Sequence, residues 1–561
     1  MDDSFGVPWG QPIPGEVMHE YLVRYAQKWD ILRRIDLDTI VSEISRLEDR
    51  EGWDVKVTKG GDAQELQTKK LIIATGVTHK PHRPHIEGAH SFEAPIIHSA
   101  DMGRLSGPII KDPDVKTVAV LGGAKSAYDA VYLAAMSGKQ VEWIVRKSGK
   151  GPCWVFPAYT QLGPFKAWRE KLPVRRLVSC FSPCFWPDGM GWIRSFFHAT
   201  SFGKKIAQAF WGKMHAETLH ECQFKEDKAL NTLEPEQSPF WYGTSTGVYT
   251  YSPDLFDFIR SGQVRVHRED IEILAPHNIL LSNGTNLRAD ALITATGFSA
   301  KPTFEFSPPS LHSDLGVPTT HYSQAQKDFW NHLNHKAELT IVSKFPRLLI
   351  GPFKGPASTV VQPYNPGVDP ELQYTPYRLY HGIAPPGLAT QGDRSLVFIG
   401  MISNLANTVR LELQCLWAYA YLNDKMAIDR DAIFDETALM ARYCRYRAPF
   451  GHGRFFPDIV FDQVPYFDML VRDLGLRFWR KSNIFSELFA PYGQSDYKGI
   501  VQEWLKARER KEGREIKTHS RVPSNKSLGW EEARVGLLST SRAGSTTHSR
   551  ASSVNSVKRT N

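Results

Sequence analysis

Cysteine is scarce in this 561-residue chain: Cys153, Cys180, Cys184, Cys222, Cys415 and Cys444, with no Cys-x-x-Cys pair. That excludes a disulfide framework, a cysteine-ligated zinc site and a dithiol redox centre, and it suits a reducing compartment, so a cytoplasmic location is expected. Long apolar runs are missing too. The longest are broken by charges and prolines, so no transmembrane helix is expected. The opening MDDSFGVPWG is acidic and has no apolar stretch, unlike a secretory signal. A basic face is also lacking. The formal charge is +8, but thirteen Lys and Arg against five Asp and Glu from Lys506 onward account for all of it. The neutral remainder argues against a nucleic-acid partner. From about Glu515 the chain is rich in Ser, Thr and Arg, and residues 515–561 read as a disordered basic tail. The histidines at 79, 82, 85 and 90 are separated by prolines, share no helical face and are joined by no cysteine or carboxylate. No metal site is expected.

What is present is core material and one strong local pattern. Apolar residues make up 42% of the chain, with fifteen Trp and thirty Phe, ample for more than one domain. The stretch VAVLGGAKSAYDAVYLAAMSGKQVEWIVRK, residues 118–147, reads as strand, tight turn, helix and strand. Val118–Leu121 is a buried strand, Gly122 and Gly123 the turn, Ser126–Ser137 the helix and Gln140–Val145 the second strand. Such a unit aims free helix N–H groups at a phosphate. This makes Gly122, Gly123, Ala124, Lys125 and Ser126 candidate ligands of a dinucleotide. Ala124 and Ala127 stand where a strict G-x-G-x-x-G has its last two glycines. After the second strand come Arg146 and Lys147 instead of an acidic residue. Two cations suit a 2′-phosphate, so NADP(H) is expected over NAD(H).

Two further segments share a grammar. An apolar strand runs into Ala74-Thr75-Gly76, and another into Ala295-Thr296-Gly297 about 220 residues later. Each small-residue turn could pass close to a ligand. Gly60-Gly61 reads as a hairpin turn.

Taken in order, these motifs resemble the flavin-containing monooxygenases, the class that includes Baeyer–Villiger monooxygenases. GEVMHEYLVRYAQKW (15–29) is similar to the segment before that family's third strand. Residues 71–88, an A-T-G followed by P-x-x-P-x-I-x-G, are similar to its first linker, and SFEAPIIHSADM (91–102) to its F-x-G-x-x-x-H signature. VFIGMISNLANTVRLELQ (397–414) resembles the segment that returns to the flavin. In the signature Phe92 and His98 are kept, while Ala94 replaces the glycine and Met102 an aromatic residue.

The resemblance implies an α/β fold of two intertwined Rossmann-like domains, with an NADPH domain inserted into a discontinuous FAD domain. The expected boundaries are 1–110 for the first FAD segment and linker, 111–289 for the NADPH domain with an aromatic-rich insertion at about 153–235, and 290–505 for the returning FAD segment and a helical cover. It implies FAD and NADP as cofactors, with His98 at the domain linker and both A-T-G turns near the nucleotides. It implies a monooxygenase that uses NADPH and O₂ to oxygenate an apolar small molecule, as in specialised metabolism. A non-catalytic NADP-binding relic is the alternative. Nothing in residues 1–70 matches the family's first strand and FAD phosphate loop. The FAD domain is therefore expected to be N-terminally incomplete, and this chain alone to hold FAD weakly. The segment CFSPCFWPDGMGWIRSFF (180–197) is expected to form a substrate lid or tunnel, an interfacial membrane contact, or a small core of its own. The sequence assigns no oligomeric state and no catalytic residue.

Overall fold

The computed structural model describes residues 5–8, 11, 13–48, 51–162, 165–351 and 374–519, so most of the basic tail lies outside the described residues. Two compact units divide the chain, Met1–Trp504 and Leu505–Asn561.

The first unit contains the strands β1 (Thr39–Arg46), β2 (Trp53–Lys59), β3 (Asp62–Thr68), β4 (Leu71–Ile73), β5 (Lys80–Pro81), β6 (Ile96–His98), β7 (Thr117–Leu121), β8 (Gln140–Ile144), β9 (Trp154–Pro157), β10 (Tyr159–Leu162), β11 (Phe165–Trp168), β12 (Thr246–Tyr249), β13 (Val264–His267), β14 (Ile271–Ala275), β15 (Asn278–Leu281), β16 (Asn286–Arg288), β17 (Ala291–Thr294), β18 (Phe298–Ser299), β19 (Glu305–Ser307) and β20 (Leu396–Phe398). Its helices include α1 (Gly15–Lys28), α2 (Met102–Lys111), α3 (Lys125–Met136), α4 (Arg176–Cys180), α5 (Gly191–Ala199) and α6 (Ser201–Glu221).

A five-stranded sheet in the order β13-β8-β7-β17-β6 carries the nucleotide motif. All its pairs are parallel. With β7 first, the order is that of a Rossmann half, and the first βα turn lies at the carboxyl edge of the central strand. Burial explains the composition: Val118, Ala119, Val120, Trp143 and Ile144 are sealed from solvent, as expected of strands covered on both faces. α3 packs Ala127, Ala130, Val131, Ala134 and Ala135 against the sheet, and these small side chains let it lie close.

Around this sheet lie the earlier and later parts of the chain. β4 pairs in parallel with β20, Leu71 opposite Leu396 and Ile73 opposite Phe398. β1, β2 and β3 form an antiparallel meander whose far edge takes β19 in parallel. Gly60-Gly61 is the two-residue turn between β2 and β3, both glycines at positive φ, with Lys59 opposite Asp62. One core of Ile44, Trp53, Ile73, Phe306, Leu396 and Phe398 joins these strands across more than 300 residues of sequence. α1 buries none of its side chains. Two single crossings link these parts to the five-stranded sheet, and they pair with each other: β5 and β18 are antiparallel, Phe298 opposite Pro81 and Ser299 opposite Lys80.

The aromatic segment after residue 150 builds a small core of Cys180, Met190, Phe197 and Ala207, packed by Phe181, Ile193, Ile206, Trp479 and Leu488. A buried ion cluster ties it to the C-terminal helices. Arg176 grips Asp468 with both terminal nitrogens, donates to Glu487 from Nε (2.8 Å) and reaches the Tyr492 hydroxyl (3.1 Å). In the C-terminal cover, Tyr466 and Tyr497 are fully buried.

Candidate functional site

The nucleotide turn is shaped by close backbone approach. Gly122 has φ +147°, and a Cβ there would lie 2.4 Å from the Ala295 carbonyl oxygen. One on Gly123 would lie 2.7 Å from the Gly151 carbonyl oxygen. The turn is also tied from the sides: the Trp143 indole donates to the Gly122 carbonyl (2.8 Å), and the Cys153 amide to the Gly123 carbonyl (2.7 Å). Ala124 is the N-cap of α3, extended at φ −95°, ψ 175°, and no side chain caps the helix. The Ala127 amide already donates to the Ala124 carbonyl (2.8 Å), and the Lys125 and Ser126 amides before it have no side-chain cap, the arrangement that binds anions. Lys125 opens the helix. Its ammonium contacts Asp129 and the Tyr251 hydroxyl (2.9 Å), and a Cβ on Gly247 would come within 2.8 Å of its stem. Ser126 is exposed on the same turn.

At the end of β8 the chain offers cations with neighbours that the sequence did not reveal. Arg146 is exposed and has no ion-pair partner among the described residues. The Lys147 ammonium lies 3.6 Å from Glu269. Ser148 gives both its amide (3.1 Å) and its hydroxyl (2.6 Å) to Asp270. Glu269 and Asp270 follow β13, which lies beside β8. In the same pair of strands, burial alone would raise the Glu142 carboxyl, but hydrogen bonds from His267 and Arg265 hold it below its usual value.

The two A-T-G turns occupy different places. Ala295 sits under Gly122. Thr296 donates to the His82 carbonyl (2.6 Å), and the His82 amide to the Gly297 carbonyl (2.9 Å). Ala74, Thr75 and Gly76 follow β4 instead, and a Cβ on Gly400 would meet the Gly76 Cα at 3.9 Å. Gly76 and Gly297 have φ of +68° and +84° and face open space, so glycine serves the turn itself at both. His98 ends β6 opposite Thr294 and is fully buried. Its Nδ1 accepts from the Ala100 amide (3.0 Å), its ring stands edge-on to Phe298 at 5.6 Å, and Nε2 has no partner. Burial, with the Arg83 guanidinium nearby, holds its pKa below the usual histidine value.

A cavity of about 980 Å³ opens beside Lys125. Lys125, Phe156, Trp168 and Thr246 line one side; Leu405, Val409, Phe461 and Tyr492 line the other. That is the upper end of the range for small-molecule sites. Its far wall follows the loop after β20, which is pinned by the Gln414 side-chain oxygen accepting from Gly400 N (3.2 Å), Gln463 accepting from Ala406 N (3.0 Å) and Arg410 donating to the Ile402 carbonyl. Among the described residues no three His, Cys, Asp or Glu side chains converge as a metal site.

Residues 8–159 match the family described as pyridine nucleotide-disulphide oxidoreductase. The chain is 33% identical over 514 residues to the FAD-dependent monooxygenase rstn6 of Aspergillus nomiae, covering 88% of this chain and 85% of that one. The chain belongs to the FAD-dependent monooxygenases. A second such monooxygenase, resA of Aspergillus sclerotiorum, is 32% identical over 506 residues, again 88% of this chain and 85% of the other. A solved structure of cyclohexanone monooxygenase in its rotated conformation aligns over 82% of each chain at 14% identity, with a TM-score of 0.48, too distant to carry an argument.

For a FAD-dependent monooxygenase, the disulphide chemistry in the matched family's description has no equipment here. All six cysteines are free, and burial raises the thiol pKa of Cys153 and Cys222 to about 12. Asp458 is one residue that sequence reasoning missed. It accepts from Thr244 N (2.8 Å), the Thr244 hydroxyl (3.0 Å) and His452 N (3.0 Å), and so joins the region before β12 to the C-terminal cover. Burial pushes its carboxyl up to about 6 against the pull of those hydrogen bonds. Its partners are more than 200 residues away on one side, and no local pattern announces them.

Proposed function

We propose that this monooxygenase draws electrons from NADPH through FAD and places one oxygen atom of O₂ in an apolar small molecule of specialised metabolism, bound in the 980 Å³ cavity. The second oxygen atom leaves as water. The cofactors supply hydride transfer and oxygen activation. The chain's own residues bind, orient and exclude water.

The uncapped start of α3 and Lys125 fit a pyrophosphate, and the unpaired Arg146 fits the 2′-phosphate of NADP(H). A flavin fits the strip between Gly76 and the loop after β20. There Gly76 faces open space with Gly400 close beside it, and the buried side-chain carbonyl of Asn404 lacks a donor. In this reading residues 1–110 and 290–505 form the flavin part and 111–289 the nucleotide part, with Ile96–His98 and Ala291–Thr294 each lending the latter a strand. His98 lies at the crossing between the two. Its depressed pKa keeps the imidazole neutral near pH 7, able to accept or donate one hydrogen bond without bringing charge.

The carrying observation is that Lys125 and, from the returning segment, Leu405, Ala406 and Val409 line one cavity, in a chain similar to a FAD-dependent monooxygenase over nearly its whole length. Phe156, Trp168, Val409 and Phe461 in the lining suit an apolar substrate body, and Lys125, Arg169 and Glu170 beside them suit polar groups on it. Peripheral contact with a membrane and a cytoplasmic location belong to the same reading. No helix among the described residues is long and apolar enough to cross a membrane. The test is NADPH oxidation with stoichiometric O₂ uptake by the purified chain plus FAD, and a product heavier by one oxygen atom. NADP binding without O₂ uptake at saturating FAD would refute it.

A further inference from the structure

The small core beneath α5 and α6 carries, on its outside, a set of aromatic side chains that nothing in the first unit covers. Trp192 is 74% exposed, Phe202 68% and Phe485 70%, with Phe196, Ile484 and Phe489 also exposed beside them. They come from three short stretches that pack on this one core. Trp192 and Phe196 stand one turn apart on α5, and Phe196 lies 6.3 Å from Phe202 at the start of α6. Phe485 and Phe489 stack 4.7 Å apart on the helix Ile484–Phe489. α5 and that helix both rest on the core of Cys180, Met190, Phe197 and Ala207, the second through Leu488. The Trp479 ring joins the same core and donates to the Asp188 carbonyl (2.9 Å).

The two runs of sequence that carry this patch hold charges of one sign. No Asp or Glu occurs from Gly189 to Ala216 or from Leu474 to Ser486. The flanking carboxylates turn inward: Asp188 is buried on Arg194, and Glu487 on Arg176. The cations stay outside. Lys204 and Lys205, next to Phe202 in sequence, are exposed and have no carboxylate partner among the described residues. Arg477 bonds only the backbone oxygens of Trp479 and Lys481. Exposed aromatic rings beside Lys204, Lys205 and Arg477, with no acid in their own runs of sequence, suit an interface where rings enter the headgroup layer and cations meet lipid phosphates. A protein partner would require acidic residues around an apolar socket; a bilayer with anionic lipid supplies both features over any area.

We propose that this face docks the enzyme peripherally on an anionic lipid membrane. The patch also adjoins the cavity. The Phe489 carbonyl accepts from Arg175 Nε (3.0 Å), the Tyr492 amide donates to the Val174 carbonyl (2.9 Å), and Val174, Pro491, Tyr492 and Gly493 line the cavity wall. Docking therefore brings one wall of the cavity toward the bilayer, where an apolar substrate concentrates. This last step rests on the cavity being the substrate site; the docking does not.

The test is flotation of the full chain with phosphatidylcholine vesicles, with and without phosphatidylserine. Wild type should float with the anionic vesicles and lose this at high salt. The triple variant Trp192→Ser, Phe202→Ser, Phe485→Ser should float about tenfold less, with unchanged thermal melting. Lys204→Glu with Lys205→Glu should remove the preference for phosphatidylserine. Wild type left unbound by both vesicle types, or a triple variant that floats as well as wild type, would overturn the proposal. So would a wild-type dimer that the triple variant dissolves, since a second copy would then own the face. Flotation does not depend on turnover. Protein that floats but oxidises no NADPH would count against the enzymatic reading and for the docking.

Discussion

The backbone of Gly122 lies so close to Ala295 that a single methyl group on Gly122 would stand 2.4 Å from the Ala295 carbonyl oxygen. The glycine turn after β7 and the turn that leaves the sheet after β17 are thus in direct contact. Gly122 also has φ +147°, a region that other residues enter only with strain.

From this contact, Gly122→Ala should destabilise the fold by about 2–4 kcal/mol and weaken NADPH binding at least tenfold. Thermal melting and fluorescence titration with NADPH check both. Normal melting together with normal binding would show that the turn has room to relax.

The end of β8 predicts coenzyme preference. Arg146→Ala should raise the KM for NADPH about tenfold and leave that for NADH nearly unchanged, because it removes a charge that only the 2′-phosphate uses. Asp270 holds the amide and hydroxyl of Ser148. Asp270→Asn should lower the NADPH KM roughly threefold by removing a like charge and freeing a donor. Parallel steady-state measurements with the two coenzymes decide the matter. An unaltered NADPH KM in the arginine variant would remove Arg146 from the site.

Arg176 is buried with two carboxylates, Asp468 and Glu487. Arg176→Ala would leave both uncompensated and should cost roughly 3–5 kcal/mol. Urea unfolding reads the loss directly. A loss below about 1 kcal/mol would mean that water or rearrangement satisfies the carboxylates.

His381 predicts an alkaline limit to stability. Its Nε2 bonds Glu436 at 3.0 Å, and its Nδ1 lies 2.9 Å from Asp473. Burial favours the neutral ring, but the two carboxylates outweigh it and raise the pKa to about 9. A folded pKa above the unfolded one stabilises fully below about pH 6.5 and is lost as pH rises through 9. The advantage of wild type over His381→Gln should therefore be of order 1–3 kcal/mol at pH 6 and shrink toward pH 10. A gap that stays constant with pH would mean that the ring is neutral in the fold.

The local parts of this architecture were legible because their causes are local. A four-residue apolar run, two glycines and a stripe of alanines predict a helix over Ser126–Ser137, and it lies over Lys125–Met136. The double glycine at 60–61 predicts a hairpin, and Lys59 pairs with Asp62 across it. What stayed hidden depends on contacts between distant residues. Lys147 and Glu269 meet only because β8 lies beside β13, 120 residues later. Arg176 and Asp468 are 292 residues apart. The prolines among His79, His82 and His85 keep those three out of a helix, while His90 lies in the short 3-10 turn Ala89–Ser91. The aromatic segment 180–197 was legible as unusual, and its composition could not tell rings turned inward, such as Phe197, from rings turned outward, such as Trp192.

The side-by-side pairing of β5 and β18 has a mechanical result. Both chain crossings are tied together at Pro81 and Phe298, so they cannot twist independently. His98, edge-on to Phe298, packs directly against this short ladder, so whatever displaces one crossing is felt at its ring.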